Sequence, residues 1–170
     1  MLDIVNEKDQ FVKKATRKEV RDKALLHRVS RVLVYNKFGK LLVQKRAKTK
    51  DMFPSYWDIG IAETVKSDEG YEGAALRGLV EEAGIYGISN IQLIHSFLFK
   101  IKYNSQETNE LCKVYELQYN GNIQPQKEEI EAIDFLTATE VKDLISENKF
   151  HPVGKVVFEK YLESMKIKKC

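Results

Sequence analysis

The sequence predicts an α/β (α+β) domain in which a mixed β-sheet is sandwiched between helices. Three observations predict it. Apolar runs of strand character alternate with one long central segment of helical period, and two more helical segments close the chain. A length of 170 residues with 43% hydrophobic content suits a single domain, 1–170, with a sizeable core.

An N-terminal extension, residues 1–27, comes first. Within it "LDIVNEKDQFVKKAT" reads as two short strands about the polar turn Asn6 to Asp9, and Thr16 with Glu19 forms a capping box that opens a short helix. Next, "HRVSRVLVYNKFGKLLVQKRA" holds apolar runs at Val29 to Tyr35 and Leu41 to Val43 about a turn through Asn36 and Gly39, a hairpin at the centre of a sheet. "YWDIGIAETV" reads as one further strand. In "SDEGYEGAALRGLVEEAGI", residues 67–85, Ala74, Ala75, Leu79 and Ala83 recur at helical spacing, and Gly84 is a natural stop. Strands follow at Ile91 to Ile101 and Leu111 to Tyr119. Amphipathic helices within residues 137–165 complete the chain.

The net charge of +3 comes from 28 basic and 25 acidic residues spread along the chain, so no broad surface for a nucleic-acid backbone is implied. Lys166-Ile167-Lys168-Lys169 is the densest basic cluster and reads as a solvated chain end. Cys112 and Cys170 suggest neither a disulfide framework nor a zinc site, and no apolar run approaches a membrane span. These features point to a soluble cytoplasmic protein without membrane or nucleic-acid partners, monomeric or homodimeric.

Chemistry concentrates in residues 63–85. Residues four apart on a helix lie about 40° from each other around the axis and those three apart about 60°, so positions 78, 81 and 82 share a face. Carboxylates there would offer oxygen ligands to Mg²⁺, yet position 78 is glycine. This spacing resembles the Nudix box, with Glu69, Arg77, Leu79, Glu81, Glu82, Gly84 and Ile85 in their expected places. Two positions depart from it. Glu63 stands where the box has its first glycine, and Gly78 where it has the glutamate after arginine. Residues 1–136 also look like the Nudix branch related to isopentenyl diphosphate isomerase, but Ala62-Glu63-Thr64 replaces the isomerase's Cys-Gly-His. A metal histidine aligns with His27, whereas its partner position holds Val20, so isomerase activity is not expected.

The resemblance implies a Nudix fold and metal-dependent attack of water on a diphosphate linkage of a nucleoside diphosphate derivative. It assigns Mg²⁺ or Mn²⁺ to Glu69, Glu81 and Glu82, and catalytic roles to Glu81, Glu82, Arg77 and Glu110. Glu110, aligned with a metal-associated glutamate of the isomerase, is the preferred base in place of the missing one; an exposed strand-edge glutamate is the alternative. Glu63 and the run Glu128, Glu129 and Glu131 are other candidate carboxylates, the run reading first as a solvated turn. Lys45 and Arg46 are candidate phosphate contacts or surface charges, and Trp57 either stacks on a base or packs with Phe53 and Tyr56. His95 and His151 read as surface or packing residues. Gly73 and Gly78 each weaken the helix by about 1 kcal/mol relative to alanine. Reduced hydrolase activity is therefore expected, and the alternative is a non-catalytic Nudix-fold module that binds a nucleotide or a protein.

Overall fold

The structure, a computed structural model, describes residues 1–167, with only the backbone of Lys166 and Ile167. Lys168 to Cys170, with most of the basic chain end, lie outside the described residues. The N-terminal extension forms as its local signals dictate. Strands β1 (Leu2–Val5) and β2 (Phe11–Ala15) pair antiparallel about Asn6, whose Oδ1 accepts from the N–H groups of Lys8 and Gln10 at 3.0 Å each. Helix α1 (Arg17–Asp22) opens with the complete capping box of Thr16 and Glu19. Ile4 pairs with His27, which joins the extension to the main sheet.

Strands β3 (Leu26–Tyr35) and β4 (Leu41–Arg46) follow, but they pair only at Tyr35 and Leu41 and then separate. The expected central hairpin is therefore a joint. β3 carries an almost unbroken buried run, as a strand covered on both faces does. It lies between β6 (Ile61–Thr64), antiparallel, and β8 (Gln106–Gln118), parallel over Leu26 to Tyr35. β4 instead pairs with β5 (Trp57–Ile59) and β9 (Ile130–Leu136).

Residues 57–64 form two strands rather than the expected one, because Gly60 turns the chain at φ +69°. Its backbone lies so close to β3 that a Cβ would stand 2.2 Å from the Val32 carbonyl oxygen. β7 (Gln92–Tyr103) completes the sheet beside β8. Strand β9 lies where the sequence suggested a turn. Only 127–129 turn, and Glu131 already lies within β9, as the residue skipped where Lys45 pairs with Ala132 and Arg46 with Ile130. A register shift between Lys45 and Arg46 breaks the alternation that would have revealed the strand.

Helix α2 (Tyr71–Ala83) ends at Gly84, φ +64°, where Ile85 N–H donates to Leu79 O at 2.9 Å and Gly84 N–H to Val80 O at 3.1 Å. Its Ala74, Ala75, Leu79 and Ala83 pack with Val32, Val34, Leu42 and Ile61 on one side of the sheet. Helices α3 (Ala138–Glu147) and α4 (Pro152–Ile167) contribute Val141, Val153, Val157 and Phe158 to a second core with Val29, Leu33, Val43 and Ile59. The sheet is thus sandwiched between helices. Among the described residues, no helix is long and apolar enough to cross a membrane.

Candidate active site

A cavity of about 410 Å³ opens between α2, β6, β8 and the loop that precedes β5, and Arg17 of α1 also lines it. Six acidic side chains, Asp58, Glu63, Glu81, Glu82, Glu110 and Glu129, line it with six basic ones, Arg17, Arg31, Arg46, Lys50, Lys66 and Arg77. It is a charged cleft of balanced sign, suited to a charged ligand rather than an apolar molecule.

Arg77 organises the acidic side. Its Nε and Nη2 donate to Glu69 at 2.9 Å each, and Nη2 also reaches Thr64 O at 3.0 Å. Its Nη1 lies 3.2 Å from Glu81 Oε2 and 3.1 Å from Glu63 Oε2. The guanidinium beside Glu69 holds that carboxyl below its ordinary value. The expected ligand set Glu69, Glu81 and Glu82 is consequently not brought together: Glu69 does not line the cavity and is held by Arg77, while Glu81 and Glu82 do line it, Glu81 sharing Arg77 Nη1 with Glu63.

Glu82 behaves differently. Burial and then the nearby Glu63 carboxylate push it up to about 7, against the pull of Lys50 and Arg46. Glu110, opposite His27 in the register of β8 with β3, is also pushed up by burial, against the pull of His27 and Arg31. Arg46 lines the cavity and holds the loop between β4 and β5 through Phe53 O at 3.2 Å and Met52 O at 3.0 Å.

The other two expected substrate contacts lie elsewhere. Successive residues of a strand face opposite ways, so Lys45, next to Arg46, pairs instead with Glu131 at 3.2 Å. Trp57, next to Asp58, packs in the second core and bridges to Phe150. Neither lines the cavity. His151 does, packed edge-on against Phe53 at 4.4 Å between ring centroids, and burial pushes it down to about 4. His95 sits by Phe97, away from the cavity.

Sequence reading missed the ion pair in the cavity wall. Arg31 Nη1 and Nη2 donate to Asp58 at 2.7 and 3.1 Å, and Nη1 to Ile59 O at 2.6 Å, with side chains only 3% and 1% exposed. Burial would push Asp58 up, but Arg31 beside it holds the carboxyl below its ordinary value. A charge inside the apolar run "HRVSRVLVY" was the available signal.

Among the described residues, no three His, Cys, Asp or Glu side chains enclose a metal ion. Mg²⁺ asks for less, since it keeps several waters and sits on one or two carboxylates plus substrate phosphates. Glu63 and Glu82, two hard oxygen donors in one cavity and close enough to repel, fit that requirement.

The NUDIX domain family matches residues 25–159. The chain is 34% identical to a Streptomyces coelicolor protein named uncharacterized Nudix hydrolase SCO1686, over 91% of this chain and 83% of that one. The crystal structure of DR0079 from Deinococcus radiodurans superposes with a TM-score of 0.75 at 25% identity, covering 92% of this chain and 96% of the other. The NUDIX domain of Shewanella oneidensis NrtR, solved with ADP ribose, shares the fold with a TM-score of 0.63 at 14% identity over 81% and 87% of the two chains. With the box helix lining the cavity and these likenesses along most of its length, the chain belongs to the Nudix hydrolase family.

Proposed function

We propose that the protein hydrolyses a diphosphate linkage in a small nucleoside-diphosphate-type molecule, with Mg²⁺ or Mn²⁺ as cofactor. One observation carries this reading: Glu82 and Glu110, which have no ion pair among the described residues, share a cavity with Arg17, Arg46, Lys50 and Lys66. The cation would be held by Glu82 with Glu63, and would supply polarisation of a phosphoryl oxygen and neutralisation of developing charge. The basic side chains bind and orient the phosphates. Glu110, pushed above its ordinary value by burial, takes a proton from the attacking water as its oxygen bonds to phosphorus and the bridging P–O bond breaks. Arg77 fixes Glu81 and the start of the box helix. Lys45 and Trp57 take no part in this reading. The ADP ribose held by the NrtR domain illustrates the ligand class that the fold accommodates. A cytoplasmic setting goes with the buried free thiol of Cys112.

The test is phosphate release through a coupled phosphatase, over nucleoside diphosphates, triphosphates, sugar conjugates and dinucleotides, with and without Mg²⁺. Turnover should fall by about 10² to 10⁴ in Glu110→Gln. It should be abolished in Glu82→Gln. Undiminished turnover in Glu82→Gln would overturn the proposal. The second reading, a non-catalytic nucleotide- or protein-binding module, is favoured by Gly78 alone. It predicts nucleotide binding without turnover anywhere in the panel.

A further inference from the structure

The two departures from the box are one event in space. Glu63 lies in β6, opposite Ser30 in the register with β3, and α2 packs against this strand. Gly78 is buried on the facing side of α2, and a Cβ built there would stand 3.0 Å from Glu63 Cβ, 3.4 Å from Ile61 Cγ2 and 3.6 Å from Glu63 Cγ. The Glu63 side chain therefore fills the space into which a side chain at 78 would grow. Its carboxylate does not leave the site. Glu63 Oε2 is 3.1 Å from Arg77 Nη1, Oε1 accepts from Thr64 N–H at 3.0 Å, and the side chain lines the same cavity as Glu82.

We infer that Glu63 carries the carboxylate that the box otherwise places at position 78: the acid and the glycine have exchanged places across the contact between strand and helix, and Glu63 with Glu82 holds the divalent cation. The exchange is sterically reciprocal. With glutamate at 63, position 78 has room only for glycine unless Glu63 shifts; with glycine at 63, a side chain at 78 has space to enter the cavity from the helix. The same exchange accounts for a buried glycine inside a helix, which costs helix stability and is kept here by a close contact. This inference rests on the hydrolase reading above and identifies Glu63, which the box pattern does not contain, as the replacement for the missing glutamate at 78.

Mn²⁺ binding, read by electron paramagnetic resonance of the free ion, tests the exchange without relying on turnover. The variants are Glu63→Gln, Gly78→Glu, the double variant Glu63→Gly with Gly78→Glu, and Glu82→Gln, each first checked for a cooperative thermal transition. Glu63→Gln, close in size to the native residue, should weaken Mn²⁺ on the order of tenfold or more and lower Mg²⁺-dependent phosphate release with it. Gly78→Glu alone should melt earlier than wild type, and the double variant should recover both melting temperature and Mn²⁺ affinity. Wild-type Mn²⁺ affinity in Glu63→Gln, with affinity lost in Glu82→Gln, would overturn the exchange and leave the hydrolase reading standing. A double variant that folds as wild type but binds no Mn²⁺ would overturn it equally. Unchanged affinity in both Glu63→Gln and Glu82→Gln would remove the metal reading altogether, and the exchange with it.

Discussion

Replacing Asp58 by Asn gives the sharpest test of how the cavity wall is held. The substitution keeps side-chain volume and leaves an oxygen to accept from Ile59 N–H, now at 2.8 Å from Asp58 Oδ1, but it removes the carboxylate paired with the Arg31 guanidinium. Arg31 would keep Ile59 O, at 2.6 Å, and remain charged at 3% exposure. Stranding one member of a buried pair costs about 3–5 kcal/mol. For a chain of this length that is roughly 6–20 °C in melting temperature. The assay is thermal and urea unfolding at pH 7 of Asp58→Asn, Arg31→Met and the double variant. Because the double variant leaves no orphaned charge, it should be more stable than Asp58→Asn alone. Acid supplies a second arm. Asp58 sits below its ordinary value of 3.8, so its contribution is present above that pH and is lost only as pH falls through the still lower folded value. A loss below about 1 kcal/mol in Asp58→Asn, or a double variant as unstable as the sum of the singles, would refute the reasoning.

Gly60→Ala should cost about 3 kcal/mol or more and reduce soluble yield, since it combines a left-handed φ with a Cβ 2.2 Å from Val32 O. Gly87→Ala, at φ +73° but with open space around it, should cost only about 1 kcal/mol in the same unfolding assay. Glu82 has its folded value raised from 4.5 to about 7, so wild type loses stability as pH rises through that window. Glu82→Gln should therefore be more stable than wild type by about 1–2 kcal/mol at pH 8, with the gap closing at pH 4.5, in urea melts without metal. His151 is lowered from 6.5 to about 4, so the unfolded chain binds its proton first and stability falls as pH drops through that window. His151→Gln should remove about 1–3 kcal/mol of this acid sensitivity, read as a flatter melting temperature between pH 6.5 and 4.

Local signals made much of the molecule legible. The capping box at Thr16, the Asn6 turn, the helical period of Ala74 to Ala83 and the stop at Gly84 each act within a few residues, and each stands in the structure where the chain announces it. The position of Glu82 on the cavity side of the box helix followed from helical geometry in the same way. Other features depend on groups that meet only when the chain has folded. Parallel pairing of β3 with β8 joins Leu26 to Asn109, and no local pattern specifies that partner. Arg31 finds Asp58 across 27 positions, and Arg77 gathers Glu63, Glu69 and Glu81 from a strand, a loop and its own helix. The surface pairing of Lys45 and the core packing of Trp57 follow from strand alternation, once β4 and β5 have their partners. Backbone propensity and periodicity reach one turn or one pleat along the chain, so sequence reading recovers the elements. Charge compensation and strand pairing are settled by distance in space, so the donors that face the cavity, and the meeting of Glu63 with Gly78, are properties of the tertiary structure alone.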